Sequence, residues 1–280
     1  MTVCSGPIDE SCWVIPGMLC IGGVPYGLTG RRSAVSCVTE IMLSGVNLFV
    51  SLMSKEEEVA LQKMRSDSKT SIEKLIFSDH RKARYLIGST IADTKVLLFD
   101  HRGALDALNE IEITAENDVT LAQRKMRLVG RIKVLNDRLK KGEQQQKKLP
   151  QKVEWVRIPM GYSVVQVVND VLPALWELER RIALGARMFL YSRDMHGRVG
   201  LLAGCLLGRM YGLTPASALY RLQACHDSAV SEKNRLVPVS CPSDIVQRKL
   251  LADVLVLTNR PYEGTYVHFN ISIFNYAKHS

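Results

Sequence analysis

Apolar residues recur along this chain with two different periods, and the switches between them outline alternating strands and helices. In "WVIPGMLCIGGVP", from Trp13 to Pro25, apolar residues alternate with Pro and Gly, which predicts a short edge strand bounded by turns. Val35, Val38, Ile41 and Met42 then share a helical face that Gly45 ends, and "VNLFVSL" follows as a buried strand. After Lys55 the chain becomes polar and charged with scattered apolar residues, the pattern of helical pieces joined by loops. Asp118 or Thr120 can cap a long helix whose Leu121, Leu128, Ile132, Leu135 and Leu139 keep a seam spacing, with Gly142 and "GEQQQKKLP" weakening its end. "VEWVRIPM" reads as a strand, followed by a helix from about Val165 to Leu184 stopped by Gly185, the strand "RMFLY", and a long apolar helix. Thr214 and Pro215 open another helix, running to about Cys225, and Asp244 to Val256 is the last. The closing "TYVHFNISIFNY" alternates every second residue, as a strand does.

This order predicts an α/β fold with a mainly parallel central sheet flanked by helices, plus a helical, basic insertion. Residues 1–54 and 151–256 form the two parts of that domain, 55–150 the insertion, and 257–280 a C-terminal extension. A chain of 280 residues, 46% hydrophobic and 23% charged, can build such a core. No window reaches the length of an apolar membrane span, and the opening "MTVCSGPIDE" is acidic where a transit peptide is Arg-rich. A cytoplasmic location is the expectation. Seven cysteines, odd in number and without C-x-x-C spacing, predict reduced, buried thiols and neither a metal site nor a cofactor.

Charge changes the picture more than composition does. The net charge is +9, and Leu121 to Lys148 alone carries ten basic residues against Asp137 and Glu143, or +8. Arg131, Lys133, Arg138, Lys140 and Lys141 are therefore candidate partner-binding residues for a polyanionic surface. A carboxylate-rich cytoskeletal or axonemal polymer suits such a helix; RNA suits it less, because few aromatics accompany the basic residues. The terminal strand is a further candidate, adding either to a partner's sheet or to the edge of its own.

The candidate chemistry lies in "YSRDMHGRVG", Tyr191 to Gly200, where a buried strand meets a helix N-terminus. Consecutive backbone N–H groups there make an anion cradle, and an arginine at its end can hold phosphate. The stretch resembles the "H-C-x-x-G-x-G-R-[ST]-G" signature of the tyrosine and dual-specificity phosphatases. "CPSDIVQRKLL" and "WVIPGMLCIGGVP" are similar to two further segments of the compact dual-specificity branch. The resemblance implies that fold, with Arg198, Gly197, Gly200 and His196 as a phosphate-binding remnant.

It also implies lost catalysis. Ser192 stands where the family has its nucleophilic cysteine, and a serine hydroxyl needs a neighbouring base that the sequence does not supply. Tyr162 stands where the family has its general acid, and a phenol with a pKa near 10 replaces it poorly. Met195 replaces a cradle glycine, Val199 replaces the hydroxyl residue after the arginine, and Asp194 brings a carboxylate into the loop. Arg198 then either captures phosphate or pairs with loop carbonyls and nearby carboxylates, and His196 is read as a packing or hydrogen-bonding residue, with nothing placing an acid partner for it. The implied function is a pseudophosphatase, catalytically inactive, serving as a scaffold in a larger assembly. Two alternatives remain: a non-hydrolysing reader of phosphoproteins, and an active phosphatase whose cysteine at 192 was changed to serine for study.

Overall fold

The computed structural model describes residues 4–9, 11–25, 34–64, 71–110, 118–161, 168–229 and 239–258. The first apolar stretch is a hairpin rather than one strand: β1 (Ser11–Ile15) and β2 (Leu19–Gly22) pair antiparallel around a turn at Gly17. That glycine has φ +69°, a conformation side chains other than glycine's resist, which is why the chain reverses there. The helix α1 (Ala34–Leu43) and the strand β3 (Leu48–Ser51) follow as expected, with Gly45 at φ +98° between them.

Beyond β3 come α2 (Lys55–Met64), α3 (Ile72–Asn109) and α4 (Asp118–Lys148). The polar stretch is thus less broken than its pattern suggests, since α3 is a single helix of 38 residues. Ser71 caps it by accepting a hydrogen bond from the Lys74 N–H. Its length rests on packing: Ile91, Thr94 and Leu98 are buried against α4. α4 also continues through Gly142, against expectation. A Cβ at that position would come 3.0 Å from Ile91 Cγ1, so the glycine lets the two helices approach instead of ending one. Lys95 with Glu143, and Arg102 with Asn136, set the antiparallel register of this arm.

The chain then returns to the sheet with β4 (Glu154–Arg157), α5 (Val168–Ala183), β5 (Met188–Tyr191), α6 (Arg198–Tyr211), α7 (Pro215–Ala229) and α8 (Ile245–Thr258). The five strands lie in the order β1-β2-β5-β3-β4, and every pairing except β1 with β2 is parallel. The α/β fold with a mainly parallel sheet is therefore the observed one. Successive side chains on the inner strands serve two cores, as expected of a sheet covered on both faces. Leu48, Val50, Met188 and Leu190 join the core beneath α5, α6 and α8, while Phe49, Phe189 and Tyr191 join the one beneath α1 and the base of the arm. All seven cysteines are free thiols and six are buried. The alternating C-terminal stretch from residue 259 onward lies outside the described residues.

Candidate functional site

The carboxyl ends of β5, β3 and β4 meet at one place, the position where ligands gather in open α/β sheets. β5 ends at Tyr191, and residues 192–197 turn over its end to deliver Arg198 as the first residue of α6. Arg198 is 2% exposed, so its guanidinium must find partners inside the protein. It finds three. Nη1 donates to the Leu52 carbonyl beyond β3 at 3.2 Å and to the Met160 carbonyl beyond β4 at 2.6 Å. Nη1 and Nη2 together hold the Glu57 carboxylate in a two-point fork, at 2.8 and 2.7 Å.

Glu57 belongs to the first turn of α2, where Ser54 and Glu57 exchange capping bonds: the Ser54 N–H donates to Oε2 at 2.8 Å, and the Glu57 N–H donates to Ser54 Oγ at 3.2 Å. Burial alone would raise the pKa of this carboxyl, but the hydrogen bonds from Arg198 and Ser54 outweigh it and hold the group below its ordinary value. Next to it, Glu58 is 3% exposed, ion-paired to Arg157, and accepts from the Ile72 N–H at 3.1 Å. One acidic turn therefore pairs with two arginines and with the start of α3.

Two of the loop amides are also occupied. Asp194 Oδ1 accepts from the His196 N–H at 3.1 Å and the Gly197 N–H at 3.0 Å, two of the donors that would face a bound anion. Ser192 is 1% exposed and its hydroxyl donates to the Asp194 carbonyl at 2.8 Å. Met195 and Val199 are buried in the apolar core, so the side chain at 195 serves packing. Gly200 keeps its place for a steric reason, because a Cβ there would lie 2.6 Å from Cys241 Sγ. Tyr162 lies outside the described residues.

His196 has a partner that its sequence neighbourhood does not reveal. Its Nδ1 is 2.7 Å from Nε2 of the buried His226 on α7, whose Nδ1 is 3.3 Å from Asp227 Oδ1. With both rings neutral, His226 donates to Asp227 and His196 donates to His226. Burial, and after it the charge of His226, lower the pKa of His196, with Asp194 opposing. His196 is thus linked to the acid Asp227 only through His226, and the Ser192 hydroxyl donates to a carbonyl rather than to this pair.

Of the sequence-predicted loop residues, Ser192, Met195, His196, Gly197, Arg198, Val199 and Gly200 thus come together at the sheet end. Reading the sequence missed Glu57, His226 and Asp227. The signal for Glu57 was the run "KEEE" just past a strand end, facing an arginine that a buried loop would leave unpaired.

The basic candidates lie elsewhere, on the arm. Arg131, Lys133, Arg138, Lys140 and Lys141 are all exposed, and none of them pairs with a carboxylate among the described residues. Arg124, Arg131 and Arg138 recur every seven residues, as do Lys133, Lys140 and Lys147, so the charges form straight rows outside the leucine seam. No helix of the described residues is long and apolar enough to cross a membrane.

No family model and no curated protein matches the chain. Among solved structures it is similar to the phosphatase Tk-PTP in its active form, at 12% identity and a TM-score of 0.41, over 88% of this chain and 97% of the other. It is also similar to the kinase-associated phosphatase with its catalytic-site cysteine substituted by serine, at 12% identity and a TM-score of 0.42, over 87% and 89% of the two chains. The order of strand, loop, arginine and helix that the resemblance implies is the order seen from β5 to α6.

Proposed function

We propose that this is a non-hydrolysing, phosphatase-type protein that works as a structural component of a larger assembly. One observation carries the reading: both halves of the phosphate cradle are filled by the protein's own carboxylates. Glu57 occupies the fork of Arg198, and Asp194 occupies the amides of residues 196 and 197. A phosphate dianion would have to displace one carboxylate and approach another, against Coulomb repulsion in a partly desolvated site. Hydrolysis further lacks a thiolate, since Ser192 holds that place. The same filling argues against the phospho-reader alternative.

The working surface in this reading is the arm. Its rows of exposed cations, without carboxylate partners among the described residues, suit a polyanionic surface such as a carboxylate-rich cytoskeletal or axonemal polymer, in a cytoplasmic setting. The test is calorimetric titration of inorganic phosphate and of a phosphotyrosine peptide, with aryl phosphate hydrolysis measured in parallel on the unaltered chain and on Ser192→Cys. The expected result is no binding heat and no turnover from either protein. Phosphate binding abolished by Arg198→Ala would make this a reader, and turnover by Ser192→Cys would make it a disabled enzyme.

A further inference from the structure

The helix α3 carries two seams at heptad spacing, and α4 covers one of them. The second runs through Tyr85, Ser89, Ala92, Val96, Phe99 and Gly103, spaced by four and three residues in turn. Tyr85 is 74% exposed, Val96 60% and Phe99 80%, on a helix whose other stripe is buried. A soluble helix gains nothing from a Phe and a Tyr held in water at seam positions, so this stripe is built to be covered.

The charges beside the stripe say by what. Lys95 and Arg102 follow one edge, and Asp93 and Asp100 the other. If two copies of α3 pack antiparallel on this stripe, like edges meet and cations face cations. If they pack parallel, each Lys95 faces the Asp100 of the other copy, twice by symmetry. Lys95 remains available, because its pair with Glu143 is 3.9 Å long with side chains 60% and 45% exposed. Ser89 and Ala92 between the large residues, and Gly103 beyond Phe99, allow close approach of the two helices. We infer that the chain forms a parallel homodimer through the outer face of α3.

In such a dimer each α4 lies on the outside, so two sets of basic rows are presented together. A polyanionic lattice would then be gripped at two points, with the avidity that tethering gives. The dimer itself does not depend on the loop being inactive.

Sedimentation equilibrium of the full chain tests this. The expected mass is that of two chains at the highest soluble concentration, falling to one chain for the double substitution Tyr85→Lys and Phe99→Lys. Circular dichroism should show unchanged helix content, since both positions are exposed. Lys95→Asp should weaken the dimer at least about tenfold, and adding Asp100→Lys should restore it. A one-chain mass for the unaltered protein would overturn the inference and leave the stripe to a different partner. Tightening by Lys95→Asp would also overturn it, as the mark of an antiparallel pair.

Discussion

The loop after β5 and the arm of α3 and α4 treat their charges in opposite ways. In the loop Arg198 turns inward on Glu57, Asp194 on two backbone amides and His196 on His226, with Arg193 left exposed. On the arm the cations of α4 stand in solvent without carboxylate partners among the described residues. The first arrangement stabilises a fold and leaves little to offer a ligand. The second adds little to stability and leaves its groups available for binding. A loop that resembles a catalytic one can therefore spend its polar groups on the fold, while an insertion keeps its cations in solvent.

The comparison breaks most sharply at Glu57. Glu57→Ala should cost about 3–5 kcal/mol, because it leaves a buried guanidinium without its countercharge. Urea unfolding measures this, and a loss below about 1 kcal/mol would mean that water reaches Arg198 after all. The same pair gives a pH dependence. The folded-state pKa of Glu57 lies below its unfolded value, so its contribution is full above the ordinary carboxylate range and disappears as pH falls through the lowered value. Stability should thus fall below about pH 4, and Glu57→Gln should flatten that part of the curve.

Smaller effects sharpen the picture of the arm. Gly142→Leu should destabilise by about 1–3 kcal/mol, since the side chain would enter the contact with Ile91. Gly130→Ala meets nothing within 4 Å and should stabilise α4 by about 0.5–1 kcal/mol, read as a rise in the unfolding midpoint. Smallest of all, Lys140→Glu with Lys141→Glu should change stability by no more than about 0.5 kcal/mol. That pair should nevertheless weaken cosedimentation with a carboxylate-rich polymer, and the difference should shrink as salt is added. If it leaves cosedimentation unchanged, the basic rows are only a solvated face.

The sheet and its helices were legible because periods of two and 3.6 are local properties: α1, β3, β5, α6 and α8 all follow from the positions of a few apolar residues and glycines. The loop was legible for the same reason, being one contiguous stretch. What was not legible depends on pairs far apart in sequence. Glu57 meets Arg198 across 141 positions, and His226 lies thirty beyond His196. The length of α3 was hidden because Gly88, Ser89 and Gly103 break its pattern, and only packing along α4 keeps it whole. Gly142 misled in the same way, reading as a stop where the structure uses it as a contact. Ser192, Asp194, Met195 and Val199 could be read directly, yet the second carboxylate, Glu57, could only be seen once α2 was placed beside α6.

A helix of 38 residues rises 1.5 Å per residue, which makes the arm about 57 Å long. Its root is clamped, for α3 packs on α1 and His80 and Arg84 bond the carbonyls of Pro150 and Gln151 at 2.9 and 2.8 Å. Such a beam acts as a lever: the stretch from Arg84 to Asn109 reaches about 38 Å beyond the clamp, so a tilt of about five degrees carries the far end through about 3 Å. Whatever grips the far end therefore has a mechanical advantage over the junction with the sheet, and it holds the core at a fixed stand-off, as a spacer bar would.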